Sequence, residues 1–169
     1  MLRHEPVNPP KYVYPSDEWR MVEKEYYPRF QAQMETIFSI GNGYLGMRGV
    51  CDEVTPCSDF YNWFLLILPY NFGERAFGFA TTGQTIGNVT DTKIIKLYVD
   101  DEPFCLSTAN LLSFERVLDM KAGTLNRQVI WETASGKQVA MKSRRVISLE
   151  HRHLAAIEYE VTVLNTKAP

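Results

Sequence analysis

The sequence predicts an all-β domain, built as a sandwich of antiparallel sheets. Apolar and polar residues alternate with a period of two through most of the second half of the chain, as in strands that turn one face to a core. Turn signals such as Ala122-Gly123 and Ser135-Gly136 separate these segments at spacings typical of an antiparallel meander. No segment sustains an amphipathic helical period over three turns, so the prediction contains no long helix.

The first half of the chain is less regular. Residues 1–16 hold four prolines and predict an extended lead-in that is poor in helix potential. The segment from Trp19 to Tyr27 is compatible with a strand or a short helix, and its terminal aromatic residues favour the strand. Residues 34–50 enter and leave a Gly-Asn-Gly turn, which indicates a hairpin. The apolar run from Phe60 to Tyr70 is too short to span a bilayer and predicts a buried strand.

The alternating segments of the second half define five candidate strands. Their core-facing positions, in chain order, are Ile95, Leu97 and Val99; Phe114, Leu118 and Met120; Leu125, Val129 and Trp131; Val139, Met141, Ile147 and Leu149; and Ile157, Tyr159, Val161 and Val163. Arg116 shares the apolar parity of the second strand, and Arg127 interrupts that of the third. The final strand ends close to the last residue, so the sandwich is expected to be incomplete at its C-terminus.

Composition argues against several classes of function. The net charge is −2 and no block of like charge stands out, so binding to nucleic acid or to an anionic membrane is not expected. Three cysteines argue against a secreted disulfide framework, and the N-terminus lacks the apolar core of a signal peptide, so the expected compartment is the cytoplasm. His151 and His153 could share one face of a strand, but a third metal ligand is not apparent nearby, and no metal site is assigned.

A glycine-rich segment, residues 41–49, is the most distinctive local feature. Its four glycines predict positive φ angles or a tight approach of the backbone. A phosphate-binding loop is disfavoured because the acidic residues Asp52 and Glu53 follow it and no helix opens there. Asn42 suits the turn, and Arg48 can tie carbonyl groups or a carboxylate such as Glu35 or Glu53.

The same segment carries a family resemblance. Trp19–Glu25 and the phrase Glu35-Thr36-Ile37-Phe38-Ser39-Ile40-Gly41-Asn42-Gly43-Tyr44-Leu45-Gly46-Met47-Arg48-Gly49 resemble the opening of glycoside hydrolase family 65, the maltose, trehalose and kojibiose phosphorylases and related hydrolases. Residues 83–86, 93–101, 113–124, 131–139 and 151–163 are similar to the continuation of that family. The resemblance therefore covers nearly the whole chain from residue 17.

The resemblance implies an architecture and a role. Such enzymes begin with a large super-sandwich of the galactose-mutarotase type, followed by a helical linker, an (α/α)6 barrel that holds the catalytic acid, and a small β domain. Residues 17–169 are then an N-terminal sandwich domain without that barrel, and no catalytic residue is assigned. The implied partners are the barrel of the full-length parent, a second copy in a homodimer, and an α-linked disaccharide. If the parent is a phosphorylase, inorganic phosphate is its co-substrate, and no other cofactor is implied.

Within that resemblance, Glu35, Asn42, Gly43, Gly46, Arg48 and Gly49 are expected to serve structure or an interface. The segment after Cys57 departs from the Gly-Thr-Tyr phrase usual in the family. Its aromatic residues Tyr61 and Trp63, with Tyr70, are candidates for a sugar-binding platform, and they motivate the alternative of a stand-alone carbohydrate-binding module. A mutarotase-like epimerase is a weaker alternative, which would need His151 or His153 to converge with Glu158 or Glu160.

Overall fold

The computed structural model describes residues 8–49, 51–53, 64–71, 73, 77–79, 81–89 and 93–165. In these ranges the chain forms the strands β1 (Arg20–Glu23), β2 (Ile40–Gly41), β3 (Leu45–Met47), β4 (Phe64–Asn71), β5 (Thr82–Val89), β6 (Tyr98–Val99), β7 (Glu102–Pro103), β8 (Asn110–Asp119), β9 (Thr124–Glu132), β10 (Gln138–Ile147) and β11 (Ala155–Val163). One α-helix, α1 (Gln31–Ile37), and single 3-10 turns at Lys11–Val13 and Pro28–Phe30 accompany them.

The strands pair in antiparallel sheets, which confirms the predicted fold class. A five-stranded sheet has the order β1-β8-β9-β10-β11, and a four-stranded sheet has the order β2-β3-β4-β5. Strands β8 to β11 form the predicted meander, in which each strand pairs with the next. β1 closes the other side of this sheet by pairing with β8, from Arg20 opposite Asp119 to Glu23 opposite Arg116.

The core lies on one face of the five-stranded sheet. In β9 and β10 every second side chain is buried, and the buried apolar residues are Leu125, Val129, Trp131, Val139, Met141 and Ile147. The Trp131 ring packs against Phe104, with 4.2 Å between ring centroids, so this tryptophan belongs to the core. The period-two pattern therefore predicted the inward face correctly over these strands.

Several local features differ from the sequence-based expectation, and among them Met120 and Val161, predicted to face the core, are 52% and 41% exposed. Residues 31–37 are helical, and the first strand of the hairpin begins only at Ile40. The helical turn brings Met34 and Phe38, the residue that follows α1, into one buried cluster, and this burial favours the helix. Leu149 is 84% exposed, since β10 ends at Ile147 before the turn. In the lead-in, Val13 is fully buried and its carbonyl accepts a hydrogen bond from the amide of Lys24, which ties this segment to β1.

Among the described residues, no helix is long and apolar enough to cross a bilayer.

Candidate functional site

The glycine-rich segment forms a hairpin with a side-chain-capped turn. β2 pairs with β3 through Ile40 opposite Met47 and Gly41 opposite Gly46. The Asn42 Oδ1 atom accepts hydrogen bonds from the amides of Tyr44, at 3.0 Å, and Leu45, at 2.8 Å. The positive φ of 84° falls on Gly43 rather than on Asn42, because glycine adopts that conformation without a steric penalty.

The other end of the Asn42 side chain joins the hairpin to the β10–β11 turn. Its Nδ2 atom donates to the carbonyl oxygens of Ser148, at 2.6 Å, and Arg152, at 3.1 Å. The Arg152 guanidinium carbon lies over the Tyr44 ring, 5.0 Å from the ring centroid. The Tyr44 and His153 rings meet edge to face, with 4.5 Å between their centroids. One asparagine therefore caps its own turn and fixes that turn to the five-stranded sheet.

Arg48 and Glu35 connect the hairpin to α1. The Arg48 Nη2 atom donates to the Thr36 hydroxyl at 2.9 Å and to the Ala32 carbonyl at 3.3 Å, and lies 3.9 Å from Glu35 Oε2. Glu35 is buried and accepts a hydrogen bond from the Gln31 amide side chain at 3.1 Å. Arg48 therefore connects the hairpin to α1, which is a structural role.

Gly49 lies where α1, the hairpin and the sheet meet. Its amide donates to the Glu35 carbonyl at 2.9 Å, and its own carbonyl accepts from Arg116 Nη1 at 2.6 Å. A Cβ atom at this position would lie 2.5 Å from Phe38 Cβ, closer than van der Waals contact permits. The glycine is therefore required by close approach of the backbone.

The residues that follow the hairpin enter a cluster of buried ion pairs. Arg127 donates to Asp52 Oδ2 at 2.7 Å and to the two oxygens of Glu53 at 2.6 and 2.9 Å. Asp52 also accepts from Arg145 Nε at 2.9 Å and from the Ser143 hydroxyl at 3.0 Å. Arg127, Ser143 and Arg145 all occupy inward positions of β9 and β10. The sheet thus presents two arginines to the two acids after the hairpin.

A further buried pair lies beside this cluster. Arg116 Nε donates to Glu23 Oε2 at 2.8 Å, and the hydroxyl of Tyr14 donates to Glu23 Oε1 at 2.9 Å. Burial and the neighbouring Glu23 charge raise the pKa of Tyr14, so its hydroxyl stays protonated as a donor. In this pair and the Asp52 cluster together, three buried arginines neutralise the charge of three buried carboxylates. The arginines are Arg116, Arg127 and Arg145, and the carboxylates are Glu23, Asp52 and Glu53.

The environment of Asp52 determines its protonation state. Burial alone would raise the pKa of this carboxyl, but the charges of Arg127 and Arg145, with hydrogen bonds from Arg145 and Ser143, outweigh burial and lower the pKa. Burial opposes the charge of Arg127, yet Glu53 and Asp52 raise its pKa well above the ordinary value. Both partners therefore stay charged, and Asp52 cannot serve as a proton donor near neutral pH.

The predicted site residues meet different outcomes. Glu35, Asn42, Gly43, Gly46, Arg48 and Gly49 all lie in or against the hairpin described above. Tyr61 and Trp63, the first two candidates for a sugar platform, lie outside the described residues. Tyr70 lies in β4, where its backbone is opposite Gly83. Within the described ranges, no group of three or more His, Cys, Asp or Glu side chains is arranged to hold a metal ion.

Sequence reasoning missed the partners of Asp52 and Glu53. Arg127 and Arg145 share the parity of buried apolar residues in β9 and β10, and this placement was the available signal. An arginine on the core face of a strand must find a carboxylate or carbonyl partner, because an unpaired buried charge is very costly. The identity of that partner depended on a contact across 75 residues of sequence, which no local pattern encodes.

Comparisons with known proteins agree on one family. The family model described as the N-terminal domain of glycosyl hydrolase family 65 matches residues 21–169. An α,α-trehalose phosphorylase of Thermoanaerobacter brockii is 41% identical over 162 residues, which cover 92% of this chain and 21% of the relative. A kojibiose phosphorylase of Caldanaerobacter subterraneus is 30% identical over 148 residues, which cover 88% of this chain and 18% of the relative.

A solved structure supports the fold. It comes from the human microbiome, is assigned as a kojibiose phosphorylase, and matches with a TM-score of 0.70 at 23% sequence identity. The match covers 92% of this chain and 21% of that chain. This chain therefore spans about a fifth of the length of the relatives it matches.

Proposed function

The chain belongs to glycosyl hydrolase family 65 as its N-terminal domain, and from this premise we propose that it is the non-catalytic domain of an α-glucoside phosphorylase. Its role is to brace a catalytic (α/α)6 barrel supplied by the rest of the parent, and to contribute to a homodimer interface. The relatives named as trehalose and kojibiose phosphorylases support an α-linked disaccharide as the parent's substrate and inorganic phosphate as its co-substrate. We place this activity in the cytoplasm.

The single observation that carries the proposal is that the buried Asp52 carboxylate is bound by side chains of the domain itself. Cleavage of a glycosidic bond with inversion requires a carboxylic acid that can protonate the leaving oxygen. Asp52, which belongs to the acidic group beside the glycine-rich hairpin, is fully enclosed by Arg127, Arg145 and Ser143 and stays ionised. These contacts stabilise the domain, and they leave this acid unable to meet a substrate.

Other hydrogen bonds make the hairpin a rigid platform. Asn42 fixes the turn to the carbonyls of Ser148 and Arg152, and Arg116 fixes the end of the hairpin at Gly49. A surface that supports a second domain needs such rigidity, because a small displacement of a supporting element propagates into the geometry of the active site.

Two phosphorolysis assays test the proposal. The chain alone, incubated with trehalose, kojibiose or maltose and inorganic phosphate, should release no glucose 1-phosphate. A chimera of the Thermoanaerobacter brockii trehalose phosphorylase, with its matching N-terminal region replaced by this chain, should release it. Release by the chain alone would overturn the non-catalytic role, and an inactive chimera that is folded and soluble would overturn the bracing role. A calorimetric signal from the isolated chain with these disaccharides would instead support the carbohydrate-binding alternative.

A further inference from the structure

The last strand of the five-stranded sheet, β11, has an edge that no described strand covers. β11 stands at the end of the sheet order, with β10 as its one strand neighbour among the described residues. Its nine residues pair with β10 without a register shift. They include neither proline nor lysine, the residues that commonly protect an exposed edge. β11 therefore offers a long, regular edge to another strand.

The directions of the backbone groups show which residues of β11 face this free edge. The Leu164 amide donates to the Gln138 carbonyl at 2.8 Å, and the Ser148 amide donates to the Leu154 carbonyl at 3.0 Å. Even-numbered residues of β11 therefore turn their amide and carbonyl groups towards β10. Since these directions alternate along an antiparallel strand, the odd-numbered residues from Ala155 to Val163 turn theirs outward to the free edge.

One end of β11 is also less covered than the strand beside it. Met141 of β10 is fully buried, whereas Val161, directly opposite it in β11, is 41% exposed although both side chains are on the inward face. Apolar surface and unpaired backbone groups thus coincide around Val161, as in a strand that is completed by another strand.

We propose that the free edge of β11 is the surface at which two copies of this chain meet, with the two β11 strands antiparallel and a two-fold axis at Val161. The inference rests on the proposed function, in which the domain contributes to a homodimer, and adds to it the place of contact. In this register Tyr159 lies opposite Val163 of the second copy, and the odd-numbered residues exchange their outward amide and carbonyl groups. The two-fold axis keeps both inward faces on the same side, so the two sheets continue as one.

Charge favours this register. The carboxylates of β11, Glu158 and Glu160, are exposed on its outer face, and like charges directly opposite each other destabilise a pair of strands. An axis at either glutamate, or at the residue between them, would place a glutamate opposite a glutamate. An axis at Val161 instead places Glu160 opposite Thr162 and Glu158 opposite Leu164.

Coverage disfavours the alternative register at the other end of the strand. An axis at Ile157 would also keep the glutamates apart. However, Ala155 and Ile157 pack against the buried cluster that contains Met47 of β3, so the β2–β3 hairpin lies over this end of β11. The end at Val161 is the more exposed of the two, and a second copy can approach it.

Charge substitutions at Thr162 test the pairing, because its side chain is exposed and lies opposite Glu160 of the second copy. In sedimentation velocity at rising concentration, the wild-type chain should show a reversible equilibrium between monomer and dimer. Thr162→Glu should weaken dimerisation and Thr162→Lys should strengthen it, each by roughly two- to thirtyfold, since two cross-strand pairs change per dimer. A wild-type chain that stays monomeric at every concentration, or equal dissociation constants for the two variants, would overturn the proposal.

A cysteine at the two-fold axis reports the register. Val161→Cys brings two thiols to opposed positions with about 5.5 Å between Cα atoms, a separation that a disulfide spans. Under mild oxidation a 161–161 disulfide should form in the chain and in the active chimera, identified by peptide mass spectrometry, with the wild type as the control for the native cysteines. Ile157→Cys is the matched control and should give no 157–157 link, because its two copies would lie about 26 Å apart along the strands.

The outcomes separate this contact from the proposed function. A 157–157 link, or a dimer without the 161–161 link, would overturn the proposed register. A chimera that releases glucose 1-phosphate but forms no 161–161 disulfide would show that the rest of the parent covers β11, which would overturn the inference and leave the proposed function intact. A 161–161 disulfide in the chain together with a folded but inactive chimera would support the contact while overturning the bracing role.

Discussion

Arg145 donates from Nε to Oδ1 of Asp52 at 2.9 Å, and this contact joins the last third of the chain to the residues that follow the glycine-rich hairpin. Its sequence neighbour Arg144 points to the opposite face of β10, with its side chain 62% exposed and 3.6 Å from Glu158. Two adjacent arginines thus meet opposite environments. The difference follows from the two-residue period of the strand, which turns neighbouring side chains to opposite faces.

The first prediction compares these two arginines. Arg145→Met should lower the free energy of unfolding by about 3–5 kcal/mol, because it leaves the buried Asp52 carboxylate without one of its partners. Arg144→Met should change it by about 1 kcal/mol or less, since an exposed ion pair contributes little. Urea unfolding followed by circular dichroism measures both. Equal losses in the two variants would mean that the Asp52 cluster does not contribute to stability as the structure indicates.

The second prediction concerns pH. The pKa of Asp52 is lowered in the folded state, so its contribution to stability is complete above the unfolded value of about 3.9 and is lost as the pH falls through the folded value. The free energy of unfolding should therefore decrease as the pH is lowered below about 4.

Asp52→Asn isolates this contribution. The variant should be less stable than the wild type at pH 7, because a neutral amide pairs poorly with two buried arginines, and its stability should depend less steeply on acid pH. Urea titrations at a series of acid pH values give the two slopes. Parallel pH dependences in the wild type and the variant would exclude Asp52 as the responsible group.

The strands could be predicted from the sequence because their signal is local. Alternating burial in β9 and β10 follows directly from the sequence, and Trp131 was correctly assigned to the core. Helix α1 was missed because seven residues make only two turns, too few for a helical period to emerge beside a glycine-rich hairpin. The exposure of Leu149 was missed because parity cannot indicate where a strand ends.

The residues of the candidate site were predictable, but of their contacts only those of Arg48 with a carbonyl group and with Glu35 were. Glu35, Asn42, Arg48 and Gly49 stood out by their place in the motif, and the structure gives each a specific partner. The partners lie up to 110 residues away in sequence. Such pairings are set by how the sheets pack, so a single sequence without this tertiary information identifies the residues but leaves their partners open.

The third prediction tests the close approach at Gly49. Gly49→Ala should lower the free energy of unfolding by about 1–3 kcal/mol, because the new methyl group would overlap Phe38 and force the hairpin away from α1. Gly73→Ala is the matched control, since a Cβ there meets no atom within 4 Å and its φ is not positive. Thermal unfolding of both variants decides the matter. A Gly49→Ala protein as stable as the control would contradict the tight packing of Gly49 on Phe38.

The fourth prediction separates the two functions of Asn42. Asn42→Asp keeps an oxygen that can accept from the amides of Tyr44 and Leu45, but it replaces the donor to Ser148 and Arg152 with a second oxygen. The turn should persist while its attachment to the sheet is lost, at a cost of about 1–3 kcal/mol for the carbonyl groups left without a donor.

Hydrogen exchange distinguishes this outcome from a general loss of stability. In Asn42→Asp the amides of His151 and Leu154, which are bonded within the β10–β11 turn, should exchange faster, whereas the amide of Leu45 should keep its protection. Asn110→Ala, at an exposed position of β8, is the control and should leave both regions unchanged. If Leu45 lost protection together with the distant turn, Asn42 would act through the hairpin as a whole, and the division between capping and attachment would be wrong.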